Sequence, residues 1–393
     1  MTTSGLTDER RSVLTAEDIR ALVRGADDDE RATAAHKICR SIDQRPLSDP
    51  LTPEERAAAQ EILRVMAADA AESVRRALAV TLKGSPVLPR DVAMKLARDV
   101  EAVAVPVLNY SPVFSDEDLA ELVRQSTGVK QVAIAYRPQL SETVTTALAS
   151  YGVEEALRIA CSNDNADFSE AALLKTVERF PNSDGVKAAV GYRASLPMVV
   201  AERLTQVAGE ALREHLKAQH GVTHVAAEAL VGDAAERATA ELAEQAGLVD
   251  DAAGFAAHLA RTGRLTASLL LRTLAQGDMR FFEHGVAELA GVPHPRTWMM
   301  IHDAGPLGLR AIYERAGLPA RLFPAFRAGV DTYRSVHVEG AALDRDKFRE
   351  RVVQRFLTQQ TGASREDTEY LLERLDAATV DPAPTEVRAA NAA

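Results

Sequence analysis

The octad Leu82-Lys-Gly-Ser-Pro-Val-Leu-Pro89 returns 26 residues later as Leu108-Asn-Tyr-Ser-Pro-Val-Phe-Ser115, and after another 26 as Ile134-Ala-Tyr-Arg-Pro-Gln-Leu-Ser141. Looser copies end at Phe168-Ser169 and Leu196-Pro197, each 28 residues further on. In each copy, apolar residues three and four apart lead into a turn, and the last position is Ser or Pro, which favour the start of a helix. The period therefore predicts two short helices per unit, which bury their apolar faces by stacking on neighbouring units.

A second set of repeats is predicted towards the C-terminus. Helix starts recur at Leu265-Thr266, Val292-Pro293 and Leu318-Pro319, spaced 27 and 26 residues apart. The copy Ile312-Tyr-Glu-Arg-Ala-Gly-Leu-Pro319 aligns with the first octad without a gap. Between the two sets, from Val199 to Leu248, we expect longer helices rich in Ala and Glu. The two sets then form either one curved superhelix or two separately packed lobes.

The pattern predicts an all-α chain, an α-solenoid of short two-helix repeats that resembles a HEAT superhelix and ends in a helical hairpin. Within the middle region, we expect breaks near His220-Gly221 and Val231-Gly-Asp233. The predicted segments are N-terminal helices and a linker (1–50), a first repeat segment (51–206), an irregular helical junction (207–250), a second repeat segment (251–340), a C-terminal helical pair (341–380) and a disordered tail (381–393).

Composition narrows the class of partner. The formal net charge is −11, with 46% hydrophobic and only 5% aromatic residues. An acidic chain without a basic stripe is a poor ligand for nucleic acid or for an anionic membrane. The N-terminus has no apolar signal segment and no apolar run approaches the length of a membrane span. Cys39 and Cys161 are far apart, so we expect reduced, buried thiols in a cytoplasmic protein.

Catalytic and metal-binding patterns are missing from the sequence. It contains no GxSxG, no SxxK, no phosphate-binding loop and no HExxH. Its histidines include two groups of three, which are His215, His220 and His224, and His284, His294 and His302. Gly221 weakens a helix through the first group, and spacings of ten and eight give the second group no helical phase. We therefore expect no catalytic residues, no metal, no cofactor and no enzymatic activity.

The run Val74-Arg-Arg-Ala-Leu-Ala-Val, with Leu-Pro-Arg-Asp-Val-Ala-Met-Lys-Leu-Ala-Arg-Asp after the turn, resembles HEAT-like and leucine-rich-variant repeats. The arrangement over about 50–340 also resembles the bacterial domain-of-unknown-function family 2336. That family brings no agreed activity or catalytic residues. The resemblance implies a protein that binds partners along a concave face. One departure is the longer turn from Cys161 to Phe168, and insertions in such arrays are common binding positions.

One set of residues occupies equivalent positions at the turns of successive units, and we call this set the turn ridge. Its tyrosines occupy one phase of their units, its arginines follow two of them, and its longer turn lies in the divergent unit. The members are Tyr110, Tyr136, Arg137, Asn163, Asp164, Asn165, Tyr192 and Arg193. Tyr and Arg are common in interface hot spots, so we expect the ridge to bind a partner. In the alternative, each tyrosine ring lies in the core and closes its helix.

Three functions remain open at this point. The first is a non-catalytic scaffold or regulatory adaptor with an unknown protein partner. The second is a binder of a small molecule or lipid, with an apolar cavity around Trp298, Met299 and Phe281. The third is an enzyme such as a DNA-base-processing HEAT-like protein, which the acidic charge disfavours. The C-terminal pair, 344–360 with 364–378, either covers the end of the repeat array or forms a homodimer.

Overall fold

The computed structural model describes residues 27–44, 52–220, 223–339 and 345–359. These residues form twenty α-helices and one short 3₁₀ helix, and none of them belongs to a β-strand. The chain divides into two compact units, with the division between Leu196 and Pro197. None of the described helices is long and apolar enough to span a membrane. The predicted all-α class is confirmed.

Unit 1 contains eleven described helices, most of them only eight to eleven residues long. They are α1 (Asp28–Asp43), α2 (Pro53–Ala67), α3 (Glu72–Leu82), α4 (Arg90–Ala97), α5 (Glu101–Tyr110), α6 (Asp116–Gln125), α7 (Gly128–Ala135), α8 (Glu142–Tyr151), α9 (Glu154–Cys161), α10 (Glu170–Arg179) and α11 (Asp184–Gly191).

The predicted column of helix starts is confirmed. Pro89, Ser115, Ser141 and Ser169 are the N-cap residues of α4, α6, α8 and α10, and Pro197 directly precedes the first helix of unit 2. The Ser115 hydroxyl accepts from the Asp118 backbone N–H at 3.2 Å, while Asp118 accepts from the Ser115 N–H at 3.1 Å. These two hydrogen bonds satisfy backbone donors that α6 itself leaves unpaired, whereas the Ser141 and Ser169 side chains form no such cap bond.

The helices of unit 1 pack in two series. In the first series each helix contacts the next: α1, α3, α5, α7, α9 and α11. In the second, α2 contacts α4, and α6, α8 and α10 follow one another. The core between them is continuous and mostly aliphatic, with fully buried side chains such as Leu78, Leu108, Ile134 and Leu157. Short helices are stable here because each buries its apolar face against the next repeat.

Unit 2 begins with two long helices. Its elements are α12 (Met198–His220), α13 (His224–Leu248), α14 (Ala252–Arg261), α15 (Ala267–Ala275), α16 (Met279–Ala290), α17 (His294–His302), α18 (Gly305–Arg315), a 3₁₀ helix (Ala320–Leu322), α19 (Phe323–Glu339) and α20 (Arg345–Gln359). Aromatic side chains fill much of its core, where Phe255 lies 6.0 Å from Phe281 between ring centroids.

The helix starts of the second repeat set are confirmed. Thr266 is the N-cap of α15 and accepts from the Leu269 N–H at 3.0 Å, and Pro293 is the N-cap of α17. Pro319 precedes the 3₁₀ helix rather than an α-helix. The expected break at Val231-Gly-Asp233 is wrong, because α13 runs through it. One glycine costs a helix only about 1 kcal/mol, which the packing of α12 against α13 offsets.

The last described helix packs inside unit 2. Phe348, Val352 and Phe356 of α20 are buried, and α20 contacts both α19 and α15. Leu357 is exposed instead of buried with them. The predicted second helix of the C-terminal pair, 364–378, and the predicted tail, 381–393, lie outside the described residues, and so do the first 26 residues of the predicted N-terminal segment. The choice between an end cap and a dimer hairpin therefore stays a prediction.

Candidate functional site

The three tyrosines of the turn ridge point away from the core. Tyr110 is the last residue of α5, and Tyr136 and Tyr192 are the C-cap residues of α7 and α11. Their exposed fractions are 54%, 60% and 89%. The alternative that placed these rings in the core is therefore wrong. Each ring lies at the end of a helix of the first series, where the chain turns towards the second series.

The residue that follows each tyrosine position has the opposite orientation. Arg137 donates to the carbonyl oxygens of Leu108 and Ser111, both at 2.8 Å. The Asn163 amide donates to the carbonyl of Arg137 at 2.9 Å. Arg193 in turn donates to the carbonyl of Asn163 at 3.3 Å. At Arg137, Asn163 and Arg193, the side chain at the fourth position of a unit thus donates to the carbonyl at the fourth position of the unit before it, and we call this chain of contacts the backbone ladder.

Arg193 makes three further contacts at the last step of the ladder. Its guanidinium donates to the carbonyls of Cys161 at 3.0 Å and Ala166 at 2.7 Å, and it lies 5.0 Å from the Phe168 ring centroid. The fork of a guanidinium can pair two carbonyls at once, and its charge complements the negative end of a helix. Burial lowers the pKa of Arg137, as expected for a guanidinium enclosed by protein.

The same device closes a helix of the second series. Arg179, at the end of α10, donates to the carbonyls of Ala149 at 2.8 Å and Gly152 at 2.9 Å, at the end of α8. Burial also lowers the pKa of Arg179. The arginines at turns of unit 1 therefore join one repeat to the previous one. The tyrosines that precede Arg137 and Arg193, which are Tyr136 and Tyr192, are exposed to solvent.

The divergent turn is also tied to its neighbour. Leu140 and Ala166 form an isolated parallel bridge, and the Asp167 N–H donates to the Leu140 carbonyl at 2.9 Å. Within the turn, the side-chain oxygen of Asn163 accepts from the Asn165 N–H at 3.0 Å. Asp164 and Asn165 remain exposed. These contacts hold the longer turn, in which Asp164 is an exposed member of the ridge.

A cleft of about 370 Å³ opens between α9 and α11 and brings part of the ridge together. Tyr192, Arg193 and Asp164 were predicted as site residues and line it; Tyr110, Tyr136, Arg137, Asn163 and Asn165 do not. The remaining lining residues are Arg158, Cys161, Ser162, Gly185, Ala188 and Ala189. The sequence prediction did not include these six residues. Gly185, Ala188 and Ala189 are a local signal because they are small and three or four residues apart, and Gly185 makes room for the Arg158 side chain, whose Cδ would lie 3.1 Å from a Cβ at this position.

The chemistry of this cleft favours binding. Burial raises the pKa of the Cys161 thiol to about 12, so the thiol is protonated near neutral pH and is a poor nucleophile. Arg158 is held by Glu155 through contacts of 2.9 and 2.6 Å. The buried state of Cys161, and of Cys39, confirms that part of the prediction. An aromatic ring and a carboxylate beside a small-residue floor can bind a side chain without reacting with it.

A second cluster, in unit 2, was not predicted. Glu283 is buried, and its two carboxylate oxygens lie 3.2 Å from Nε2 of His294 and 2.5 Å from Nε2 of His302. The His284 ring stacks on His294 with centroids 3.8 Å apart. The three histidines are ten and eight residues apart, which matches no helical phase, so the sequence did not indicate that they cluster. They meet because α16 and α17 pack against each other. Within the described ranges, no group of three or more His, Cys, Asp or Glu side chains is arranged to hold a metal.

This cluster predicts an acid-sensitive unit 2. Burial and the neighbouring His294 and Arg280 lower the pKa of His284 below its usual 6.5, although Glu283 and Asp250 oppose the shift. As pH falls below 6.5, the unfolded chain takes up the His284 proton before the folded chain does, so the free energy of unfolding decreases.

We expect His284→Gln to lose less stability than the wild type between pH 7.5 and 5.5 in urea denaturation. The matched control is His224→Gln, since the side chain of His224 is 69% exposed. An equal loss in the wild type and His284→Gln would contradict the prediction.

The proposed apolar cavity in unit 2 receives no support from side-chain placement. Trp298 and Met299 are 41% and 54% exposed, while Phe281 is buried beside Phe255. The run from Trp298 to Ile301 lies in α17, and of its four residues only Ile301 is buried. The Trp298 ring packs on His302, 5.0 Å between centroids, at the edge of the Glu283 cluster.

Comparison with known proteins yields one family. A sequence model described as "Uncharacterised protein conserved in bacteria (DUF2336)" matches residues 103–366, which is more than half of the chain. No curated protein and no solved structure matches the chain. The matched region includes the turn ridge from Tyr110 onwards, the cleft between α9 and α11, and the Glu283 cluster. The chain therefore belongs to the bacterial family DUF2336.

Proposed function

We propose that this protein is a non-catalytic scaffold or regulatory adaptor that binds a protein partner through the turn ridge. The observation that carries the proposal is the exposure of Tyr110, Tyr136 and Tyr192 on turns whose backbone is held by the ladder. Exposed tyrosines contribute large contact area with little loss of side-chain entropy, and a fixed backbone reduces the cost of binding further.

The architecture in this proposal is an α-solenoid. The order of contacts in each helix series of unit 1 supports it, since every helix packs mainly on its neighbours in adjacent repeats. In such an array, equivalent turns of successive repeats lie side by side. The tyrosines then form a row that suits an extended partner segment. We place the protein in the cytoplasm, with no nucleic acid, cofactor or metal in its function.

Photo-crosslinking tests this proposal. We would replace Tyr136 or Tyr192 with p-benzoylphenylalanine in cells that naturally make the protein. We expect both positions to give an adduct of the same mass with one partner. Tyr151 is the matched control, because it is 55% exposed but ends α8 in the second series. Equal adducts from Tyr151 would contradict binding at the ridge.

Affinity measurements with the purified partner complete the test. We expect Tyr136→Ser combined with Tyr192→Ser to weaken binding at least about 30-fold, the effect of losing a hot spot worth about 2 kcal/mol. The melting temperature should stay close to that of the wild type because both rings are exposed. Tyr151→Ser should bind as the wild type does. Wild-type affinity in the double variant would refute the proposed site.

A further inference from the structure

One tyrosine of the turn ridge already has a cation from the same chain on the face of its ring. Lys83 lies in the octad before Tyr110, and its ammonium lies 4.6 Å from the centroid of the Tyr110 ring. A cation over an aromatic face within about 6 Å is attracted by the ring's quadrupole. Lys83 holds the second position of its octad, and Tyr110 holds the third position of the next.

At Tyr192, the equivalent position of the preceding unit does not carry a cationic side chain. The second position of the preceding unit is Cys161, a small residue whose side chain is buried. Cys161 and Tyr192 both line the cleft of about 370 Å³. The Tyr192 ring is also the most exposed of the three ridge tyrosines. The repeat thus presents an aromatic face and an open volume where its first copy holds a lysine.

The charged side chains that line the cleft favour the binding of a cation from another molecule. Asp164 lines it with an exposed carboxylate, and within the described part of the chain that carboxylate forms no ion pair with a basic side chain. The charge of Arg158 is opposed by Glu155 at 2.6 Å. The Arg193 guanidinium is directed at the carbonyls that end α9 and lies over Phe168. The Asp164 carboxylate and the exposed Tyr192 ring are therefore the lining groups that are left to recognise a cation.

We infer that the cleft takes a lysine or arginine side chain from a basic segment of the partner, with its cation on the Tyr192 ring and paired with Asp164. The inference rests on the proposed function, because it names the chemistry of the segment that the ridge binds. The net charge of −11 also favours a basic partner, because it attracts positive charge before the two proteins make contact. The Arg158 side chain packs beside Gly185, and the small residues Ala188 and Ala189 leave space for the aliphatic stem of the partner's side chain.

The test uses the full chain with 3-fluorotyrosine at position 192, observed by fluorine NMR. The probes are the capped tripeptides Gly-Arg-Gly, Gly-citrulline-Gly and Gly-Glu-Gly. We expect the arginine peptide to shift the Tyr192 signal saturably, with a dissociation constant of about 1–10 mM, as suits one cation–aromatic contact and one exposed ion pair. Citrulline has nearly the shape of arginine but no charge, so it should bind at least about tenfold more weakly.

Variants assign the carboxylate. Asp164→Asn should weaken the arginine peptide about fivefold, since it removes one ion pair. Asp167→Asn is the matched control, as Asp167 is exposed in the same turn but does not line the cleft. Equal binding of citrulline and arginine, preferential binding of the glutamate peptide, or no effect of Asp164→Asn would overturn the inference.

The failure of this inference can be told from that of the proposed function. Crosslinks from Tyr192 to a partner, combined with a negative arginine titration, would leave the scaffold function and reject the basic segment. Saturable arginine binding without any partner crosslink would reject the scaffold function and leave a cation site in the cleft. The two measurements use different variants and different readouts, so neither result depends on the other.

Discussion

Arg137→Ala is expected to lower the free energy of unfolding of unit 1 by about 2–4 kcal/mol. The substitution leaves the carbonyls of Leu108 and Ser111 without their charged donor, and Ser111 is fully buried. A hydrogen bond to a charged group contributes about 1.5–3 kcal/mol, and an unpaired buried carbonyl adds a desolvation cost. Arg137→Lys should recover less than half of the loss, because an ammonium cannot pair both carbonyls in the guanidinium geometry.

Urea denaturation followed by circular dichroism would measure this loss, and hydrogen exchange of peptides from 101–161 would locate it. Arg124→Ala is the matched control, because Arg124 is exposed and stacks on Tyr151 at 6.0 Å without holding a turn. It should change stability by less than about 0.5 kcal/mol. If Arg137→Ala and Arg124→Ala had the same stability, the backbone ladder would have no energetic role.

Arg272→Ala is expected to destabilise unit 2 by about 3–5 kcal/mol, the usual cost of removing one partner from a buried ion pair. Arg272 is only 2% exposed, and its guanidinium lies 2.8 Å from Asp233 and 3.4 Å from Glu236, which joins α15 to α13. Without Arg272, Asp233 and Glu236 on one face of α13 lose the buried cation that α15 supplies, although the exposed Arg237 still pairs with Asp233.

The protein provides an internal control for this prediction. Arg237 lies 2.8 Å from the same Asp233, but its side chain is 54% exposed and the pair spans one turn of α13. Arg237→Ala should cost at most about 0.5 kcal/mol, as exposed pairs of this kind do. Trp298 is the only tryptophan of the chain and lies in unit 2, so its fluorescence in urea reports on this unit. Equal losses in the two variants would contradict the role of burial.

Arg137 and Tyr136 have different roles, so variants of the turn ridge should substitute them separately. A double substitution of both residues would combine loss of a stabilising contact with loss of a surface ring. The two side chains are neighbours in sequence, yet one is directed at the carbonyls of the preceding repeat and the other is 60% exposed. Tests of binding should therefore alter the tyrosines alone. Tests of stability should alter Arg137 alone.

Local features were predictable because their causes lie within a few residues. Ser115 and Asp118 form a capping box whose two hydrogen bonds span three residues, so the sequence shows both partners at once. Gly232 shows the limit of such reasoning. A glycine is a local signal for a break, but α13 continues because its packing against α12 outweighs a cost of about 1 kcal/mol.

The sites depended on contacts between distant residues. His294 and His302 lie 11 and 19 residues from Glu283, and only the packing of α17 on α16 brings their rings to its carboxylate. Trp298 illustrates the converse, because a large aromatic residue in an apolar run favours burial, but the neighbouring helices leave it 41% exposed. Neither the clustering of these histidines around Glu283 nor the exposure of Trp298 is indicated by residues at helical spacing.

The sequence by itself determined the helical class, the repeat period and the helix starts, because caps and apolar spacing act over one or two turns. Only the tertiary structure decided which turn residues face inward. Arg137 and Arg193 find their carbonyl partners 26 to 32 residues earlier, in the preceding repeat. Their orientation leaves the tyrosines at the surface and, beside Tyr192, the cleft in which we expect a partner's cation.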